Sequence, residues 1–232
     1  MTMLDVNNLN AWYGESHILH GVSFHVKRGE LITLLGRNGA GKTTTLRAIM
    51  GILEKRQGSV QIFGTETITM AAHRIPRLGI GYCPEERAIF RGLTATENLM
   101  LPPILATGGL SVQEIYTLFP NLEERSQSSG GILSGGEQQM LAIGRILRTG
   151  ASLLIFDEPT EGLAPVIVQQ IARAIRSLKN RGFTIVLVEQ NFHFAASVAD
   201  RMYVMEHGMV MDELTAADAK SNPDRLKRQL GV

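Results

Sequence analysis

Cysteine is nearly missing from this chain. Cys83 is the single one among 232 residues, which excludes an intrachain disulfide and a cysteine-based zinc cluster and fits a reducing compartment. An excess of charge is missing too: 23 Lys and Arg face 22 Asp and Glu, a formal net charge of +1. No overall field exists to draw the protein onto DNA or an anionic bilayer. Long apolar runs are also absent. The longest uncharged stretch, Asn98 to Gln113, is broken by Pro102-Pro103 and Gly108-Gly109. It falls short of the roughly 20 apolar residues that a membrane helix needs. The first 30 residues lack the basic start and apolar run of a signal peptide, so a cytosolic location is expected. No linker, low-complexity tract or internal repeat divides the sequence.

What is present reads as one globular domain over residues 1–232. Hydrophobic residues make up 44% and charged residues 19%, ordinary values for a soluble fold, and a chain this long builds a core without staples. Val22, Phe24 and Val26 alternate with Ser23 and His25, as on a half-buried strand; Val60 and Ile62 repeat the pattern before a turn at Gly64. Leu31 to Leu35, Ser152 to Phe156 and Thr184 to Val188 are short, mostly apolar runs, as expected of strands covered on both faces. Ile167, Ile171, Ile175 and Leu178 recur at helical spacing between Pro165 and Gly182, a first-turn proline and a C-terminal stop. Tyr203 to Met205, His207-Gly208 and Met209 to Met211 read as a hairpin, and about 92–148 reads as mainly helical. Strands and helices in alternation predict an α/β fold with a largely parallel sheet.

Gly36-Arg37-Asn38-Gly39-Ala40-Gly41-Lys42-Thr43 matches the phosphate-binding loop pattern at every fixed position, between an apolar strand and a helix reaching about Met50. Backbone N–H groups wrap a polyphosphate only where side chains do not obstruct them, hence glycine at 36, 39 and 41. Lys42 reaches the outer phosphates, the helix start attracts negative charge, and the Thr43 hydroxyl can ligate Mg²⁺. A glycine-rich turn that merely caps a helix is the plain alternative. It leaves unexplained why Thr43, Thr44 and Thr45, poor helix formers, open this one.

Leu153-Leu154-Ile155-Phe156 runs straight into Asp157-Glu158. At the carboxyl end of a buried strand Asp157 can hold magnesium through water, and Glu158 can deprotonate a water in line with a γ-phosphate. Alone, the pair could simply mark where a strand meets solvent. Leu133-Ser134-Gly135-Gly136-Glu137-Gln138-Gln139 is a third motif. Ser134 and Glu137 have the spacing of a capping box, but a cap does not need two glycines that weaken the helix start. They would let the backbone approach an anion at a helix N-terminus.

These three motifs, in this order along essentially the whole chain, resemble the ATP-binding subunits of ABC transporters. The resemblance implies a P-loop NTPase with a mostly parallel core sheet, an antiparallel β subdomain, and a helical subdomain over about 92–148 that carries the signature Leu133 to Gln139. It implies ATP and Mg²⁺, and a head-to-tail dimer in which one subunit's signature closes over ATP on the other's cradle. Nucleotide-binding residues are then Tyr13, stacked on adenine, with Gly36, Arg37, Asn38, Gly39, Ala40, Gly41, Lys42, Thr43 and Thr44. Ser134, Gly135, Gly136 and Gln138 face the nucleotide of the partner. For Tyr13, as for its neighbour Trp12, ordinary packing at a strand end is the plain alternative. Thr43, Asp157 and Glu85 would serve the metal; Glu158, Gln190 and Glu85 would serve catalysis.

Three positions depart from the broad superfamily. Glu85 stands where a glutamine is usual, Ala164 where many members have aspartate, and Gln190 where a histidine normally touches the γ-phosphate. With the strings Glu161-Gly162-Leu163-Ala164-Pro165 and Leu187-Val188-Glu189-Gln190-Asn191-Phe192, they are similar to the ATPases of bacterial branched-chain amino-acid and urea importers. His193 is a rival for the role of Gln190. The implied partners are transmembrane permease subunits and a second ATP-binding subunit, a copy or a sister ATPase. A periplasmic solute-binding protein acts indirectly, and the expected place is the cytoplasmic face of the inner membrane. A non-transport relative acting on nucleic acid or ribosomes is the alternative. Near-zero charge and the lack of sustained heptads between Lys42 and Ser134 argue against it.

Overall fold

Alternation of apolar and polar residues builds an outer sheet, and short, mostly apolar runs form the middle of an inner one, in a computed structural model that describes residues 1–221. Strands β1 (Thr2–Tyr13) and β2 (Ser16–Lys27) form an antiparallel pair, followed by the fully buried β3 (Leu31–Leu35) and helix α1 (Lys42–Ile49). Strands β4 (Arg56–Ile62) and β5 (Thr65–Glu66) complete an antiparallel sheet of order β2-β1-β4-β5. Then come β6 (Ile80–Cys83) and the helices α2 (Ala95–Met100), α3 (Val112–Leu118), α4 (Pro120–Glu124) and α5 (Gly135–Leu147). The chain continues as β7 (Leu153–Asp157), α6 (Pro165–Asn180), β8 (Thr184–Glu189), α7 (Phe192–Val198), β9 (Arg201–Glu206) and β10 (Met209–Thr215). The inner sheet has the order β10-β9-β3-β8-β7-β6, parallel except for β10.

The inner strands divide their side chains between two cores with period two. Ile32, Leu34, Leu153, Ile155, Val186 and Val188 face the outer sheet and α1. Leu31, Leu35, Leu154, Phe156, Ile185 and Leu187 face the helical side, with Ile143 of α5, Ile171 and Ile175 of α6 and Phe194 of α7. Both faces are covered, which is why these runs are mostly apolar. Parallel register brings Leu35 opposite Glu189, Val188 opposite Asp157 and Phe156 opposite Cys83. The carboxyl ends of β3, β8, β7 and β6 therefore share one edge, the edge where open parallel sheets place ligands.

The expected mostly parallel core sheet, antiparallel sheet and helices are all found. Two inner strands run one residue further than the apolar pattern predicts, so Asp157 and Glu189 belong to β7 and β8. Three strands were not foreseen: β1, β6 and the two-residue β5 that follows the turn at Gly64. In β1 the alternation of Leu4 and Val6 slips to Leu9 and Ala11 across a bulge at Asn7–Asn8, where Asn8 has φ +50°. In β6, Gly81 interrupts the apolar pattern because a Cβ there would lie 3.1 Å from Ile146 and 3.2 Å from Leu154.

Candidate active site

The cradle rises from the end of β3. Gly41 takes φ +100° at the start of α1, a backbone that a side chain would strain. Gly36 has a packing reason beside the one that the sequence suggests: a Cβ there would sit 2.5 Å from the carbonyl oxygen of Met205. Packing against the β9–β10 hairpin, not phosphate access alone, fixes that glycine. Lys42 is buried, and its three ammonium protons have three acceptors. Nζ donates to Gly36 O at 2.9 Å and Arg37 O at 3.0 Å, and lies 3.0 Å from Glu158 Oε1.

Thr43 Oγ1 donates to Asp157 Oδ1 at 3.0 Å, and the Tyr82 hydroxyl donates to Asp157 Oδ2 at 3.2 Å. Burial pushes the Asp157 carboxyl up to about 6 against these two hydrogen bonds. A cavity of about 400 Å³ opens over this group and is lined by Tyr13, Asn38, Gly39, Gly41, Lys42, Thr43, Thr44, Glu85, Glu158 and Glu161. Arg37 is exposed and Ala40 buried beside it. Thr43, Asp157 and Glu85 offer only oxygen, the donor type magnesium takes. Among the described residues no three His, Cys, Asp or Glu side chains gather to cage a metal.

Glu158 sits at φ +43°, a left-handed backbone costly for any residue with a Cβ. Its N–H donates to Val188 O at 3.0 Å. The turn aims its carboxylate back across the sheet edge at Lys42. Of the two aromatic candidates, Trp12 already stacks on His17, with ring centroids 4.2 Å apart and planes 8° apart. Tyr13 is 42% exposed and lines the cavity, its hydroxyl 3.5 Å from Arg47.

The signature opens α5. Ser134 Oγ accepts from Glu137 N–H at 3.3 Å, and Glu137 Oε2 accepts from Ser134 N–H at 2.7 Å, so the capping box is real. Gly136 has a packing reason: a Cβ would lie 2.8 Å from Ile167 of α6. At Gly135 a Cβ would meet only the flexible Arg87 guanidinium at 3.2 Å. Gln138 donates to Gly130 O and Leu133 O, which holds the loop before the helix. None of these four residues lines the cradle cavity.

Gln190 is exposed between β8 and α7. The preceding Glu189 accepts the Gly36 N–H on its carbonyl at 3.3 Å, so the Gln190 turn lies beside the root of the cradle. His193 is exposed on α7 and lines another cleft, between α6 and α7, with Thr160, Gln169 and Arg173. Glu189 itself was missed. It is 1% exposed, its Oε1 accepts from Thr160 Oγ1 at 2.7 Å, and burial pushes its carboxyl up to about 7. One signal could have found it: a carboxylate directly after five strand residues, the same arrangement as Asp157.

The sequence family described as ABC transporter matches residues 19–161. The chain is 41% identical over 232 residues to the high-affinity branched-chain amino acid transport ATP-binding protein BraG of Pseudomonas aeruginosa, covering 99% of this chain and 100% of that protein. It is 34% identical to the probable branched-chain amino acid transport ATP-binding protein LivF of Archaeoglobus fulgidus, over 99% of each. Among solved structures, a dimeric ATP-binding cassette in a post-hydrolysis state with ADP and Pi matches with a TM-score of 0.81. That likeness has 26% identity and covers 92% of this chain and 99% of the other.

Proposed function

Because the chain belongs to the ABC transporter family as an ATP-hydrolysing, ATP-binding subunit, we propose that it powers an importer of branched-chain or other hydrophobic amino acids. The observation that carries the cargo is the full-length 41% identity to BraG. Residues 1–232 act in this reading as one nucleotide-binding domain. ATP lies in the cavity over Lys42, with adenine against Tyr13 and the phosphates in the N–H groups of Gly36 to Thr44. Thr43 and Asp157, with Glu85 at the edge, would hold magnesium, which would supply positive charge against the phosphates. Glu158 takes a proton from the attacking water, and the Gln190 amide donates to the γ-phosphate.

The Lys42–Glu158 pair gives this scheme its order. Phosphate oxygens compete for the same ammonium protons, so binding ATP releases the Glu158 carboxylate from Lys42 and leaves it free to accept a proton. Glu161 lies on the rim of the same cavity, and burial and the nearby Glu158 and Glu85 push its carboxyl up. The signature residues lie outside the cradle cavity of their own chain, which supports completion of each site by a second ATP-binding subunit, whether a copy or a sister ATPase.

No helix among the described residues is long and apolar enough to cross a membrane. Transport then requires membrane permease subunits, and we place the chain on their cytoplasmic face, with a periplasmic binding protein delivering the solute. Phe90, Met100, Leu101, Ile104 and Leu105 are large exposed apolar residues within one short stretch, a surface suited to the permease. The test is reconstitution. Proteoliposomes with the permease, this subunit and its sister ATPase where there is one, with the binding protein outside, should take up leucine, isoleucine or valine only with ATP inside. ATPase activity that responds to nucleic acid and not to the permease overturns the reading.

A second measurement addresses the missing histidine. Gln190→His should keep much of the steady-state ATPase rate at neutral pH, because the contact is geometric. Gln190→Ala should lose a charge-assisted hydrogen bond of about 1.5–3 kcal/mol, roughly 10- to 100-fold in rate. His193→Ala should stay near the parent, since its side chain lines the other cleft. A silent Gln190→Ala with a defective His193→Ala reverses the assignment.

A further inference from the structure

We propose that Glu189 is a positioning residue for hydrolysis, whose buried carboxylate fastens the turn carrying Glu158 to the turn carrying Gln190 through Thr160. The inference rests on the reading of Glu158 as the base. Glu158 has the left-handed φ of +43°; such a backbone is strained and persists only where its surroundings over-determine it. Two bonds to β8 bracket it. Ahead of it in space, the Glu158 N–H donates to Val188 O at 3.0 Å. Behind it, Thr160 Oγ1 donates to Glu189 Oε1 at 2.7 Å. Both partners of that second bond are buried, Thr160 at 7% and Glu189 at 1% exposure.

The same glutamate touches the other two parts of the site. Its carbonyl accepts the Gly36 N–H at 3.3 Å, and its Oε2 accepts the Asn191 N–H at a longer 3.4 Å, just past Gln190. One residue thus joins the cradle root, the strained base and the phosphate-contacting turn. A carboxyl in this place is expensive: burial and the neighbouring Glu158 both push it up. Leu187 and Ile185, the buried residues two and four places earlier on the strand, are apolar.

The test uses the subunit assembled with its permease, and reads kcat, KM and the affinity for MgADP. Glu189→Ala should lower kcat about 10- to 100-fold, the effect of a misplacement near 1 Å, with MgADP affinity within about threefold. Thr160→Val should match it. Glu189→Gln and Thr160→Ser, which keep an acceptor and a donor, should restore most of the rate. The Glu189→Ala/Thr160→Val double variant should be no slower than either single, because both remove one bond.

If Glu189→Ala does not fold, the Thr160→Val and Thr160→Ser pair carries the test alone. Parental kcat in Glu189→Ala or Thr160→Val overturns the proposal. So do losses that multiply in the double variant, or a parallel fall in MgADP affinity, which would mark a structural role. Glu158→Gln separates this from the reading beneath it. A parental rate there removes the base assignment, whereas a slow Glu158→Gln beside a parental Glu189→Ala removes the positioning role only.

Discussion

Glu158→Gln should slow ATP hydrolysis by about 10²–10⁴-fold, roughly 3–5 kcal/mol of barrier, while binding MgATP at least as tightly as the parent. The amide keeps the size and an acceptor oxygen but cannot take a proton from water. Affinity should hold or rise, because the 3.0 Å contact between Lys42 and Glu158 competes with the phosphates for the same cation. A neutral glutamine competes less. The variant should therefore accumulate with ATP bound, seen as retained nucleotide and a persistent dimer after gel filtration. Single-turnover hydrolysis decides the matter. A parental rate would falsify the assignment of Glu158 as base and move the search to Glu85 or Glu161, the other carboxylates on the cavity wall.

How much of this was legible beforehand follows from which interactions are local. Gly36 to Thr43 could be read because wrapping an anion is done by consecutive backbone groups. Asp157 and Glu158 could be read because an apolar strand makes a carboxylate at its end conspicuous. The pairing of Lys42 with Glu158 could not, since it depends on β3 and β7 lying on either side of β8. The same holds for Glu189. Ending β8 at Val188 hid a buried acid whose partner, Thr160, leaves the neighbouring strand. Gly136 was legible as a glycine needed near α5, but its reason is Ile167 of α6, which no spacing within the signature reveals. The strands β1 and β6 were lost to a bulge and to Gly81, both of which break period two.

Lys42→Ala should cut MgATP affinity by about 10²-fold or more, since it removes the charge-assisted bonds, each about 1.5–3 kcal/mol, that the buried ammonium can give to phosphate. It should also destabilise the nucleotide-free subunit, because it leaves Glu158, 8% exposed, without its cation; breaking a buried pair from one side typically costs about 3–5 kcal/mol. Adding Glu158→Gln should then recover much of the folding loss and none of the affinity, a combination that separates the two roles of Lys42. Ser134→Arg should behave in the opposite way. It removes a helix cap worth about 1 kcal/mol, and it leaves the cradle cavity, which Ser134 does not line, able to bind MgATP at parental affinity. What it should abolish is the ATP-driven dimer, because a long cation then stands where the partner's nucleotide must dock. Calorimetric MgATP binding beside sedimentation with and without ATP reads both quantities. Equal loss of affinity in Lys42→Ala and Ser134→Arg would mean that the signature acts within its own subunit, and the two-subunit site would have to be given up.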